Sequence, residues 1–308
     1  MIYLHHYDAS LFSEKIRVLL GYLDLEWHSV EISSVMPRPL LMPLTGGYRR
    51  TPVLQIDANV YCDTAIITRA LIRHAEAQDR LLHDFAATRI AEWADTQLFR
   101  VAVALNFRPE ALGAMMQNLS STDIETFQKD RAELSKGASI VSYSTPAAFG
   151  YLAAYLDELE ATLTGSSAAY LFGSTPSVAD FSIYHCLWFL RNNPVNRELL
   201  ASHGATLDWY RRIGEFGHGT RRNASAEAAL ATAREHEPVL PTLIGEMPQH
   251  IEAGRQVTIA PVDYGRIPVA GRLVAANSEE LVLERETPET ARVFTHFPNA
   301  GFEIGVSD

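Results

Sequence analysis

"DASLFSEKIRVLL" (8–20) decides how the first third of this chain is read. It follows an apolar opening, "MIYLHH" (1–6), with the composition of a short strand. From Ser13 onward Ile16, Leu19, Leu20 and Leu23 recur at i, i+3, i+4 and i+7, one face of a helix. Ser10 and Ser13 therefore stand where a first helical turn has N–H groups without intrahelical partners. Serine there caps a helix, because its oxygen accepts from one of those N–H groups. The same helix end stabilises an anion through its free N–H groups and dipole. A serine hydroxyl at that end can donate to a thiolate carried by a ligand, but it is no nucleophile without a neighbouring base. On these residues alone both roles stay open.

Reading outward, "LEWHSVEI" (25–32) is a second strand, so the chain begins β-α-β, which favours parallel pairing. "SSVMPRPLLMPLTGGYRR" (33–50) is a Pro/Gly-punctuated loop with at most one short helix. "TPVLQIDANVYCD" (51–63) reads as a hairpin turning at Asp57-Ala58-Asn59. "TAIITRALIRHAEA" (64–77) is a helix with Ile67, Ala70, Leu71 and His74 on one face. Residues 1–77 thus form one α/β unit. Pro52 opens a strand, which suits an edge or turn proline; it equally suits a cis Thr51–Pro52 bond that offers the Thr51 backbone to an extended ligand. Asp63 and Thr64 precede a helix, as a capping pair or as a ligand site. In the second case Thr64 takes a carboxylate and Asp63 an amine.

Beyond a polar connection at 76–84 the pattern turns helical: 85–107, 123–136, 146–163, 177–191, 198–213 and 223–236, with no evident strand. Residues 85–237 read as an all-helical domain. Pro238, Pro241 and Pro248 mark a linker. After it, "QVTIA", "VAGRLVAA", "ELVLER", "ARVFTHF" and "GFEIGV" are short strand-like runs, read as a small all-β, barrel-like module over 250–308. A module of this size buries little core alone and is expected to dock on the helical domain or a dimer partner. His296 within it reads as a packed or surface histidine.

Composition narrows the function classes. The chain has 308 residues, a formal net charge of −11 and 47% hydrophobic residues. No basic stripe is present, and the pairs Arg211-Arg212 and Arg221-Arg222 are too sparse to bind nucleic acid. The last 59 residues are acidic, with five Arg against seven Glu and two Asp from 250 to 308. No apolar run approaches the ~20 residues of a membrane span, and the opening lacks a signal-peptide pattern. Cys62 and Cys186 are too few for a disulfide scaffold or a cysteine-rich metal site, so no metal is expected and a cytoplasmic location fits.

The joint order of these features resembles the thioredoxin-like domain of the cytosolic glutathione transferases: a strand, S-L-F-S at a helix start, a T-P-V-L hairpin and an acidic-hydroxyl pair at the next helix start. "SLFSEKIRVLL" (10–20) is similar to the serine-type first helix of that family, with Ser10 and Ser13 at the two ends of the ancestral C-x-x-C. "YLFGSTPSVADFSIYHCLWFL" (170–190) resembles the family's buried helix, in which Ser177 and Asp180 form a structural capping box. The fold implied is an α/β thioredoxin-like domain followed by an all-α bundle domain, then the added β module.

The resemblance implies glutathione as cosubstrate, with Ser10 meeting its sulfur. Ser13 stands beside it, Arg50, Thr51 and Pro52 meet its backbone, Asp63 and Thr64 hold its γ-glutamyl end, and Arg38 is a candidate for its glycine carboxylate. Tyr7 is a rival hydroxyl. A small hydrophobic electrophile would then sit over Leu98, Phe99, Val103 and Phe107, and a homodimer is implied. Leu11 stands where the family has proline, and the 36–49 loop is irregular. Both favour the alternative of a non-enzymatic glutathione-binding or interaction protein that uses the β module. A thiol-disulfide oxidoreductase is disfavoured, since both C-x-x-C positions are serine.

Overall fold

The computed structural model describes residues 1–117, 120–240 and 252–306, so of the linker prolines Pro241 and Pro248 lie outside the described residues. β1 (Ile2–His6) runs between a parallel β2 (Glu26–Glu31) and an antiparallel β3 (Val53–Ile56), which hairpins into β4 (Asn59–Cys62). Strand alternation splits β1 between two cores. Ile2 and Leu4 join the core built with α1 (Leu11–Tyr22) and α3 (Thr64–His74), whereas Tyr3 packs with Val30 and Ala229. The 33–50 loop holds one short helix, α2 (Met42–Thr45). The Thr51–Pro52 bond is cis, as is Met36–Pro37.

The helical part comprises α4 (Phe85–Trp93), a π turn (Ala94–Leu98), α5 (Phe99–Asn106), α6 (Pro109–Met115), α7 (Ser121–Leu134), α8 (Thr145–Thr164), α9 (Val178–Asn192) and α10 (Gly204–Gly214). Asp180 closes the capping box on α9. It accepts from Ser177 N at 2.8 Å and, through its other oxygen, from Trp209 Nε1 at 2.8 Å. The box is structural: it joins α9 to α10.

The reading of 85–237 as wholly helical is corrected at its end. β5 (Thr220–Asn223) adds to β2 in parallel, and α11 (Ala226–Glu235) packs on the sheet, where Ala229 O accepts from Gln55 Nε2 at 2.8 Å. "TRRN" carries no apolar alternation because all four residues are exposed. Its strand geometry comes from pairing with β2 at the sheet edge, which local sequence does not record.

The β module forms five strands: β6 (Gln256–Pro261), β7 (Val269–Ala276), β8 (Glu280–Thr287), β9 (Ala291–Pro298) and β10 (Phe302–Val306). They do not close on themselves as a barrel. β9 pairs in parallel with β4, giving one ten-stranded sheet in the order β10-β6-β7-β8-β9-β4-β3-β1-β2-β5. The main docking partner is thus the edge of the first domain's sheet, not the helical domain. "FTHFP" (294–298) is buried throughout, as suits a strand flanked on both sides.

Polar contacts fix this seam. The Asn59 carboxamide donates to His296 Nε2 at 3.0 Å, and His296 Nδ1 lies 2.7 Å from Glu280 Oε1. Burial pushes the His296 imidazole down, so it stays neutral and its Nδ1–H donates to the carboxylate. Tyr61 stacks on the imidazole with centroids 4.3 Å apart, and Arg73 Nη1 lies 3.3 Å from Glu280. Beside the seam, Arg285 donates to Pro43 O and Leu44 O at 3.1 and 3.2 Å, capping α2. Gly46, in the left-handed region at φ +67°, admits that guanidinium, since a Cβ there would lie 2.6 Å from it.

His296→Leu strips Glu280, itself 2% exposed, of its shortest donor. It is expected to lower the unfolding free energy by about 2–3 kcal/mol, measured by urea denaturation; a change under about 0.5 kcal/mol would mean that the seam is held by the ladder alone. In β1, burial lowers His5 to about 4 and His6 to about 3. The unfolded chain titrates both near the ordinary 6.5 and so binds more protons than the folded chain below that pH. Stability is therefore full above about pH 6.5 and falls as acid is added, by about 1.4 kcal/mol per pH unit for each histidine. The loss continues down to about 4 for His5 and about 3 for His6. Urea midpoints that stay flat from about pH 7 to 5 would contradict it.

Candidate functional site

Three chain segments converge at one end of the sheet. His5 pairs with Val53 and Val53 with Cys62, so the residues after β1, before β3 and after β4 lie side by side. These segments carry Ser10, Thr51-Pro52 and Asp63-Thr64. Ser10 caps α1: its Oγ accepts from Ser13 N at 3.2 Å, and the residue is 4% exposed. Accepting leaves the hydroxyl hydrogen free to donate. Ser13 Oγ is buried with no partner among the described residues. Glu14, in the first turn, is bonded by Arg17 at 2.7 Å and faces His218 at 3.1 Å, so its charge is compensated and does not oppose the helix end.

Asp63 caps α3, accepting from Ala65 N at 3.0 Å, with backbone φ +100°. Burial raises its pKa against the opposing pull of Arg50, whose Nη1 lies 3.6 Å away. Thr64 Oγ1 is reached by Lys15 Nζ at 3.5 Å. Arg38 is turned into the loop. Its guanidinium donates to Ser33 O, Arg49 O, Ser34 O and Thr51 Oγ1 at 2.8 to 3.3 Å, so it holds the segment that presents Thr51. Arg50 is engaged by the β module: Nη2 bonds Asp263 Oδ1 and donates to Tyr264 O at 2.6 Å, and the Tyr264 ring lies 4.0 Å from its guanidinium.

Asp263 and Tyr264 belong to the β6–β7 loop, which crosses to the helical domain. There Ser139 N donates to Asp263 O at 2.9 Å and Gly265 N to Leu134 O at 2.8 Å. α7 itself returns over the 33–50 loop: Asp130 takes Arg49 at 2.6 Å and Met36 N at 3.0 Å. The β module and α7 therefore form a common cover over this end of the sheet.

Beneath it a second network ties the domains. Lys15, on α1, donates to Asp95 Oδ2 at 2.6 Å, and Asp95 Oδ1 lies 2.9 Å from His185 Nε2. Burial drives the Asp95 carboxyl up, but Lys15 and His185 bring it net below the ordinary range; burial lowers His185. Asp95 lies in the π turn between α4 and α5. Apolar residues complete the interface. Phe12 packs on Phe99 at 4.9 Å, while Leu98 is closed into the core and Phe107 stacks on Phe127 of α7. The expected pocket wall is therefore divided. Burial drives the Cys62 and Cys186 thiols up, which keeps them protonated.

Lys15, Asp95, His185, Asp263 and Tyr264 escaped sequence reasoning. Lys15, Asp95 and His185 left only a trace, as single polar residues inside apolar helical patterns. Among the described residues no helix is long and apolar enough to cross a membrane, and no cluster of ligands could hold a metal ion.

This arrangement is that of a thioredoxin-like domain joined to a helical domain. The glutathione S-transferase N-terminal domain model matches residues 4–79, and the C-terminal domain model matches 142–212. A GST-like protein from Pseudomonas syringae is 36% identical over 99% of both chains, with a TM-score of 0.82. The chain belongs to the glutathione S-transferase-like family. A glutathione S-transferase from Rhodospirillum rubrum is 16% identical, covering 70% of this chain and 88% of its own, with a TM-score of 0.50. A glutathione transferase from Populus trichocarpa is likewise 16% identical, covering 70% of this chain and 93% of its own, with a TM-score of 0.50. At 99% coverage the Pseudomonas protein shares the β module. No curated protein matches the chain.

Asp95→Leu leaves the Lys15 ammonium, 4% exposed, without its closest anion. It is expected to cost about 3–5 kcal/mol of unfolding free energy by urea titration. A cost below about 1 kcal/mol would show that Lys15 relaxes to solvent.

Proposed function

We propose that the chain is a glutathione transferase that activates the glutathione thiol for attack on a small, largely apolar electrophile. The observation that carries this reading is Ser10: a buried hydroxyl that accepts from its own helix and keeps its hydrogen, at the end of a twelve-residue helix. Thiolate placed there accepts that hydrogen and lies at the positive helix end, and both interactions lower the thiol pKa. The released proton goes to solvent. The sulfur lone pair then forms the S–C bond while the leaving group departs with its own electron pair. Thr51 presents its backbone just before the first paired residue of β3, and Asp63 with Thr64 receives the γ-glutamyl end. Helix-rich residues around Phe12 and Phe99 form the apolar side. Ser13, Arg50 and Pro52 shape the cleft without a separate chemical step, and Arg38 acts through the loop it holds. The protein works in the cytoplasm as a homodimer, with neither nucleic acid nor membrane as partner.

A non-enzymatic glutathione-binding or interaction protein that uses the β module is the second reading, and the Arg50–Asp263 contact favours it, because that module's loop reaches into the cleft and takes one of its cations. Calorimetry with glutathione, followed by turnover of chlorodinitrobenzene, separates the two. Ser10→Ala is expected to cut kcat/KM by roughly ten- to a thousand-fold and to raise the pKa of bound glutathione. Binding without turnover in the unaltered protein would establish the second reading. Full activity in Ser10→Ala together with an inactive Tyr7→Phe would move the role to Tyr7.

A further inference from the structure

Arg100, on the second residue of α5, stands apart from the other arginines of this cleft. Its guanidinium lies 4.9 Å from the Phe99 ring and 4.7 Å from the Tyr264 ring. Arg38, Arg49 and Arg50 each close on a carboxylate or carbonyl. Arg100 closes on none: among the described residues it has no hydrogen bond or ion pair. Two aromatic rings satisfy the face of a guanidinium but leave the N–H groups at its edge without acceptors. The side chain is half-buried, so part of its hydration is lost, and the nearby Asp263 carboxylate, which is paired with Arg50, acts on it only through space. In keeping with this, burial lowers its pKa.

Its place relative to the reacting end is set by packing. Phe99 is the residue before Arg100, and it packs edge-on against Phe12. Phe12 lies two residues beyond Ser10 on α1. A row of rings, Phe12 half-buried and Phe99 9% exposed, therefore leads from the capped end of α1 to that guanidinium. Held against two rings that touch each other, that planar fork is pre-organised for an acceptor with two coplanar oxygens. Arg50 cannot take this part, since Asp263, Tyr264 O and Asp63 already surround it.

We infer that Arg100 is a specificity-determining residue, and that the electrophile has an apolar, ring-sized body ending in a carboxylate. The body lies over Phe12 and Phe99 with its reacting carbon toward the Ser10 end, and the carboxylate pairs with Arg100. This inference rests on the proposed glutathione site.

The test uses two product-like ligands, S-benzylglutathione and S-(para-carboxybenzyl)glutathione, titrated calorimetrically into the full chain and into Arg100→Gln and Arg100→Lys. The unaltered protein is expected to bind the carboxylated ligand about ten-fold or more tighter than the plain one, the size of a charged hydrogen-bonded pair. In Arg100→Gln the ratio should fall to within about two-fold, and Arg100→Lys should keep part of it. The ratio is internal to each protein, so general loss of stability in a variant does not imitate the effect. If S-benzylglutathione binds but the ratio is near one in the unaltered protein, or is unchanged in Arg100→Gln, the inference is wrong and the glutathione site stands. If neither ligand binds the unaltered protein, the glutathione reading fails and this inference with it.

Discussion

The parallel pairing of β4 with β9 is the constraint on which the rest of the molecule depends. It joins Asn59 to Phe294, Val60 to Thr295 and Tyr61 to His296, a short ladder. Without it β4 would be the free edge of a small sheet, a row of unpaired backbone groups open to association. The ladder is made specific by a histidine that is fully buried and bonded on both nitrogens, to Asn59 of one strand and Glu280 of the next. A one-residue slip would turn His296 to the other face and leave Glu280 buried without that donor. Register at the seam and placement of the whole module are therefore one choice.

From that placement the cover over the cleft follows. β6 and β7 are held in the same sheet, so the loop between them projects toward Arg50 and the helical domain. Asp263 and Tyr264 meet Arg50, while Gly265 meets the end of α7. Three parts of the chain that are distant in sequence thus close over the ends of β1, β3 and β4. The polar groups beneath are arranged in compensated pairs: Glu14 with Arg17, Lys15 with Asp95, and Arg50 between Asp63 and Asp263. Such pairing keeps buried charge tolerable, since a lone ion taken from water costs several kcal/mol. Arg100 is the exception in this set, and its partners are rings.

The fold was legible where local pattern and tertiary role agree. The apolar stripe of α1, the Asp57 turn of the hairpin and the Ser177–Asp180 box each carry their structure within a few residues, and each stands where the sequence places it. The five strands of the module were legible for the same reason. What they pair with was not, because a parallel ladder between residues about 235 apart leaves no local trace. β5 was missed because edge pairing, not apolar alternation, makes "TRRN" a strand. At the candidate site, the places of Ser10, Asp63 and Thr64 at helix starts were legible because helix starts have their own residue preferences. Arg50 drew notice for its place before Pro52, yet its partners lie more than two hundred residues away, where no motif marks them. Lys15, Asp95 and His185 are single polar residues on otherwise apolar faces, whose meaning comes only from meeting each other.

The cover also changes what Ser10 and the end of α1 can do in the proposed chemistry. In an open cleft, water screens the helix end and competes for the serine hydroxyl. Under a lid of Tyr264 and α7 the same partial charges act in a medium of lower effective dielectric, where each is worth more. The gain comes with a cost to entry, since a ligand carboxylate or amine must lose its hydration and meet groups already paired. Ion pairs that are half satisfied by the chain itself, as Asp63 is by Arg50 at 3.6 Å, reduce that cost. In the proposed reading, a ligand amine at Asp63 would meet a carboxylate whose Arg50 neighbour, at 3.6 Å, is too distant for a hydrogen bond, and would gain a charge-assisted contact there. The seam between β4 and β9, by fixing the loop that carries Asp263, is thus what sets the electrostatic balance at the far side of the cleft.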